Sequence, residues 1–209
     1  LVMENKIRLQ LTETFHKAWN VGSYEGQEGD AVNDLLAFFG DRLKVYLKDK
    51  GLRHDLISAV FALGGDKDIV RELARIEALG TFLDSEDGAN LLTAYKRAAN
   101  ILRIEEKNDK TSYDEAADAK VLEQKEEQEL HKRLAAVIDD ISQNLAAEDY
   151  AKAMTKLASL RAPVDAFFDE VTVNCEDATL RVNRLRLLSQ IRTTMNQVAD
   201  FSQIEGGER

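Results

Sequence analysis

The sequence predicts an all-α fold, and three observations carry that prediction. Apolar residues recur at three- and four-residue spacing along most of the chain, and no segment keeps the strict alternation of a half-buried strand. Proline occurs once in 209 residues, at Pro163, whereas the good helix formers Leu, Ala, Glu, Lys and Arg are abundant. Glycines gather at a few points, such as Gly64-Gly65, where helices must end. An apolar content of 44% is enough for a packed core and excludes wholesale disorder.

The elements follow in order. Ile7, Leu11, Phe15 and Trp19, each four apart, mark a helix over about residues 6–20. Val21 to Gly29 is glycine-rich and reads as a boundary. On this reading residues 1–29 are the end of a preceding helical domain plus a linker, and 30–209 are one helical domain. Asp30 caps the next helix, with Leu35, Leu36, Phe39, Leu43, Tyr46 and Leu47 on its inner face, and Gly51 stops it. His54 to Leu63 is a short buried helix. Lys67 to Phe82 turns Ile69, Leu73, Ile76 and Leu79 inward. Asp84 or Ser85 caps a helix carrying Leu91, Leu92, Tyr95, Ala99 and Leu102. Lys107 to Lys120 lacks an apolar period and reads as a loop. Glu126 to Leu145 is helical, with Leu130, Leu134, Val137, Ile138 and Ile141 inside, and Asp149 to Leu160 is a further helix. Pro163 opens a short one holding Phe167, Phe168 and Val171. The last spans about Ala178 to Val198, with Leu180, Leu185, Leu188, Ile191 and Met195 inward.

A net charge of −10 and a pI near 4.9 argue globally against nucleic-acid binding. Charge is unevenly placed, however. Glu105 to Tyr150 holds 14 acidic and 6 basic residues, a net of −8. Arg42 to His54 has a net of +4, and Asp177 to Arg192 a net of +3. The chain therefore carries basic patches on an acidic body. The single cysteine, Cys175, excludes an internal disulfide and fits a reducing compartment. No stretch has the ~18 apolar residues of a membrane helix, and no signal peptide is visible. The opening Leu1-Val-Met-Glu-Asn5 reads as the inside of a longer chain.

No catalytic constellation emerges. His54-Asp55 resembles the paired ligands of metal phosphohydrolases, but such a site needs further His or Asp ligands. His16 and His131 fall on other helices, without a second His-Asp pair. Cys175 has neither a neighbouring His nor a partner Cys. Gly22, Gly26 and Gly29 match no phosphate-cradling motif. Carboxylate pairs such as Asp139-Asp140 belong to solvated helical faces. No cofactor is expected in this part of the chain.

Two basic segments remain. Lys96, Arg97, Asn100 and Arg103 share one side of a helix, where Lys and Arg can neutralise phosphates and Asn and Arg can bond base edges. Tyr95 is placed either to stack on an unpaired base or to fill the core. In the last helix Arg181, Arg184 and Arg192 are near-neighbours, with Arg186 on another flank. These arginines either bind RNA or pair with the acidic middle section, and residue types alone weigh the two equally.

At these residues a resemblance enters. Pro163-Val-Asp-Ala-Phe-Phe168, Asp177-Ala-Thr-Leu-Arg181 and Leu180-Arg-Val-Asn-Arg-Leu-Arg-Leu-Leu188 look like the end of a DALR-type anticodon-binding domain, with Thr179 inserted in the name-giving motif. Residues 31–205 resemble the C-terminal part of bacterial glycyl-tRNA synthetase β subunits. The supporting pieces are Phe39-Gly-Asp-Arg-Leu43, Gly51-Leu-Arg-His-Asp-Leu56, Tyr95-Lys-Arg-Ala-Ala-Asn-Ile-Leu102 and Val198-Ala-Asp-Phe-Ser-Gln-Ile-Glu205. Residues 1–30 match poorly. The resemblance implies a DALR-type helical bundle with an extra N-terminal helix, holding the anticodon arm of glycine tRNA in the cytoplasm. It implies that an α subunit, using ATP and Mg²⁺, performs aminoacylation, and it implies neither DNA nor a membrane as partner. The RNA-binding residues carried over are Lys96, Arg97, Asn100 and Arg103, then Arg53, His54, Arg181 and Arg184. The rival reading is a helical protein-interaction module, favoured if Phe38, Tyr46 or Phe201 forms an exposed apolar patch. The acidic section is expected on the opposite side, repelling RNA and so orienting it.

Overall fold

Nine α-helices and one 3-10 turn account for most of the residues described by the computed structural model, which are 2–22, 24–64 and 68–206. They are α1 (Leu11–Val21), α2 (Glu28–Asp49), α3 (His54–Phe61), α4 (Ile69–Leu83), α5 (Glu86–Asp109), α6 (Lys125–Ala146), α7 (Tyr150–Ala158), α8 (Arg161–Glu170) and α9 (Ala178–Asn196), followed by the 3-10 turn Phe201–Gln203. Among the described residues the only β pairing is a single bridge between Gln10 and Asp68. The all-α expectation holds.

Side-chain caps set several helix starts, because the first N–H groups of a helix have no partner within it. Asp68 accepts from the Val70 N–H at 3.0 Å, and Ser85 Oγ from the Gly88 N–H at 3.1 Å. Asp149 accepts from Lys152 N–H, and Asp177 from Leu180 N–H at 2.9 Å. Ser85, not Asp84, caps α5; Asp84 closes α4. Gly88 belongs to this α4–α5 corner. A Cβ there would lie 2.0 Å from the Phe82 carbonyl oxygen, so only glycine lets the two backbones approach.

Several boundaries differ from expectation. The first helix begins at Leu11, because Lys6 turns the chain with a φ of 50° and its N–H bonds the Met3 carbonyl. Ile7 is left exposed. Arg8 then ties this segment down, donating to Asp68 at 2.6 Å and to Glu148 at 2.8 Å. Asp30 does not cap α2 but lies in its first turn, behind an N-cap Gln27 that makes no side-chain bond. On α2 only Val32 and Leu47 are buried; Leu35, Phe39 and Tyr46, expected inside, stay exposed. Helix α5 continues to Asp109 and ends at Lys110 in the left-handed region, shortening the expected loop. Pro163 lies in the first turn of α8 rather than at its start.

The core centres on α5 and α9, which pack on each other, with α6, α7 and α8 around them. Leu102, Leu130, Leu134, Ile141, Phe167, Leu188, Ile191 and Met195 are wholly or almost wholly buried. Asn183 on α9 is buried too, accepting from the Asp118 N–H at 2.7 Å and donating to its carbonyl at 3.0 Å. One side chain thereby fixes the α5–α6 connection. Arg75 of α4 donates to the Val198 and Gln197 carbonyls just beyond α9, where unpaired carbonyls favour a cation.

Candidate nucleic-acid interface

Helix α9 presents ten buried residues and four arginines, and each arginine reaches an acidic group of the middle section. Arg181 meets Glu105 at 2.5 Å and Asp109 at 2.7 Å. Arg186 pairs with Glu115, and Arg192 with Glu106 at 3.1 Å and Asp114 at 3.5 Å. Arg184 is buried, with Glu127 at 2.7 Å, the Thr172 carbonyl at 2.9 Å and Gln124 at 3.2 Å. Of the two readings of these arginines, the structure takes the pairing one. Arg184, expected to contact RNA, is instead an internal clamp between α9 and the start of α6. Arg181 is largely engaged in the same way. The acidic section is likewise no free repelling face, since many of its carboxylates are bound to α9.

Helix α5 is different. Tyr95, Ala98 and Leu102 face inward, and Tyr95 packs on Phe201 with ring centroids 5.5 Å apart. Burial pushes the Tyr95 phenol above its ordinary range. Tyr95 is core, so base stacking falls away as its role. On the outer side Arg97, Asn100 and Arg103 are exposed, and Lys96 is half-buried. The Arg97 guanidinium stacks on Phe168 of α8 at 4.4 Å, which orients it without neutralising it. Asn100 Oδ1 accepts from Arg103 at 2.8 Å. Among the described residues neither arginine pairs with a carboxylate. Two cations and an amide therefore stand at three-residue steps, pre-positioned and unneutralised.

Of the weaker candidates, Arg53 joins this side through the C-terminal segment, which Lys96 also holds. Arg53, just before α3, donates to the Glu205 carbonyl at 3.3 Å, and Lys96 donates to the Gly206 carbonyl. Sequence reasoning missed this junction, since nothing local links residues 53, 96 and 205. Arg53 also holds the buried Asp55 at 2.6 Å. Burial pushes the Asp55 carboxyl up, but Arg53 and the Glu205 N–H outweigh it and hold it below the usual range. His54 is exposed at the first position of α3. His16 lies on α1 against Glu28, and His131 on α6. Among the described residues no three His, Cys, Asp or Glu side chains gather as metal ligands.

The family description of the DALR anticodon binding domain matches residues 91–206, from within α5 past the 3-10 turn. The chain belongs to the DALR anticodon-binding domain family. Within this DALR domain the motif-like Asp177-Ala-Thr-Leu-Arg181 has a structural part: Asp177 caps α9 and Arg181 ties it to α5. The chain is also similar to curated glycine–tRNA ligase β subunits. That of Rhodospirillum centenum is 57% identical over 208 residues, covering 99% of this chain and 29% of that protein. That of Ruegeria sp. is 50% identical over 206 residues, with the same coverage of each. That of Paracoccus denitrificans is 45% identical over 206 residues, again 99% and 29%. The chain thus spans less than a third of the length of these relatives. Because the alignments cover 99% of the chain, the N-terminal helices that precede the DALR match share in the similarity. Among the described residues no helix is long and apolar enough to cross a membrane.

Proposed function

We propose that this domain recognises the anticodon arm of glycine tRNA as part of a glycine–tRNA ligase β subunit, supporting aminoacylation by an α subunit. The observation that carries the reading is the outer side of α5 in a DALR domain: Lys96, Arg97, Asn100 and Arg103 face outward while the α9 arginines are held by carboxylates. The names of the relatives support glycine tRNA as the substrate. Phosphates of the anticodon loop meet Arg97 and Arg103, and the Asn100 amide is placed to bond the edge of an unstacked base. Phe168 holds the Arg97 plane, so less side-chain freedom is lost on binding. Lys96 extends the cationic edge to the C-terminal segment, beside which lie Arg53, already held by Asp55, and the exposed His54. ATP and Mg²⁺ belong to the α subunit in this reading, and no residue of this chain is assigned to them. The cytoplasm is the compartment in which such an enzyme meets tRNA.

The test is a titration of the chain with glycine tRNA and with the same tRNA carrying an altered anticodon, at 50 and 200 mM salt. The expected result is tighter binding of the glycine anticodon and a steep loss with salt. Equal affinities would reduce the domain to a phosphate grip, and no binding at either salt would remove the reading.

A second reading, a protein-contact role, is favoured by one observation. Phe15, Trp19, Tyr24, Leu35 and Phe38 line an open apolar groove of about 450 Å³ between α1 and α2. Phe201, also named for such a patch, is fully buried. Co-sedimentation with the α subunit, weakened by Trp19→Ser, would support that role.

A further inference from the structure

Phe38, Arg42 and Tyr46 of α2 and its C-cap residue Lys50 follow one another at four-residue intervals. They climb one side of the helix by about 6 Å per step, turning about 40° each time. All four are exposed, Phe38 at 54% and Tyr46 at 38%. The spacing sets each ring beside the cation one turn further on. The Arg42 guanidinium lies 5.5 Å from the Phe38 ring centroid, and the Lys50 ammonium 5.5 Å from that of Tyr46. Neither cation pairs with a described carboxylate; the neighbouring Asp41 is 3.7 Å from Lys44 instead. In a chain of net charge −10, this is a row of unneutralised cations alternating with open rings.

We propose that this ladder is a second RNA-binding site, taking a single-stranded stretch whose bases stack on Phe38 and Tyr46 while its phosphates meet Arg42 and Lys50. The site rests on the tRNA-binding reading but lies outside the residues matched by the DALR family. A nucleotide strand repeats a flat apolar base and an anionic phosphate, which is the pattern the ladder complements. A protein covering it would bury Arg42 and Lys50 and would have to supply a carboxylate for each, whereas RNA brings its own charge. The ladder also leads toward the α5 side. Lys50 is three residues from Arg53, which together with Lys96 holds the Glu205-Gly206 segment.

The experiment uses the 209-residue chain, a labelled oligo(U) 12-mer and the two tRNAs above, with far-UV circular dichroism to check each variant. Tyr46→Ala is expected to weaken oligo(U) and both tRNAs by about 5- to 100-fold, and Tyr46→Phe to leave them unchanged. Arg42→Gln with Lys50→Gln is expected to lower the slope of log affinity against log salt by about 1.4 for oligo(U). The loss should be the same for both anticodons, because stacking and phosphate contacts read no sequence. If the parent binds RNA and these variants bind it equally well, the ladder is not an RNA site. If they instead lose only the α subunit, the face is a protein contact and the proposal is overturned. Anticodon preference with an inert ladder removes this inference alone. A responsive ladder without anticodon preference removes the anticodon reading alone, and no RNA binding by the parent removes both.

Discussion

Arg184 and Glu127 show how much one buried pair decides. Burial pushes the Glu127 carboxyl up, but the bonds from Arg184 and from the Gln124 and Glu123 N–H groups outweigh it, and it is held below the usual range. A carboxyl lowered in the folded state contributes stability that is present above its unfolded pKa and is lost as pH falls through its folded one. Glu127 and Asp55 both behave this way, so acid unfolding should set in below about pH 4. Glu127→Gln leaves the buried Arg184 guanidinium without its counter-charge. We expect it to cost about 3 kcal/mol at pH 7 by urea denaturation, with that difference shrinking as pH falls below the usual carboxylate range. None of this was legible in the sequence, where Arg184 looks like the other arginines of its helix. Its partner is 57 positions away, and only folding buries both.

At the scale of elements, the helices of the core were readable and the peripheral ones less so. The apolar periods of α5, α6 and α9 are set by burial, and their inward residues lie where the spacing puts them: Leu91, Leu102, Leu130, Leu134, Leu188 and Ile191. Helix α2 has an equally clear apolar period, yet Leu35, Phe39 and Tyr46 remain exposed, because periodicity reports amphipathicity and not what covers the face. The start of α1 was misplaced because Ile7 continues a four-residue spacing across a turn that Lys6 imposes. The α4–α5 corner depends on a feature no periodicity reveals, the close approach of Gly88 to Phe82. Gly88→Ala should therefore destabilise the protein by about 2–3 kcal/mol, although alanine is the better helix former. A thermal melt unchanged by this substitution would show that the corner relaxes freely.

Across the whole molecule the acidic excess and the basic patches partly cancel by design of the fold. The middle section supplies carboxylates to α9, so the helix richest in arginine is the one least able to meet RNA. Of the candidate RNA-binding cations, those left open lie on α5 and along α2, while Arg53 is held by Asp55. Charge counting found all of these regions but could not rank them, because pairing is a property of three-dimensional neighbours. Periodicity supplied the all-α class and the family resemblance the DALR type and the anticodon reading, while the structure separates the cations that clamp from those that stay open.

If α5 reads the anticodon as proposed while the α9 arginines hold the fold, the ratio of affinities for glycine tRNA and its anticodon-altered form should separate two variants. With Arg97→Gln and Arg103→Gln together the ratio is expected to fall to about 1, with the melting temperature unchanged. With Arg181→Gln the ratio is expected to stay at the parent value while the melting temperature drops. A ratio preserved in the α5 variant, or abolished by Arg181→Gln in a folded protein, would show that α5 is not where the anticodon is read.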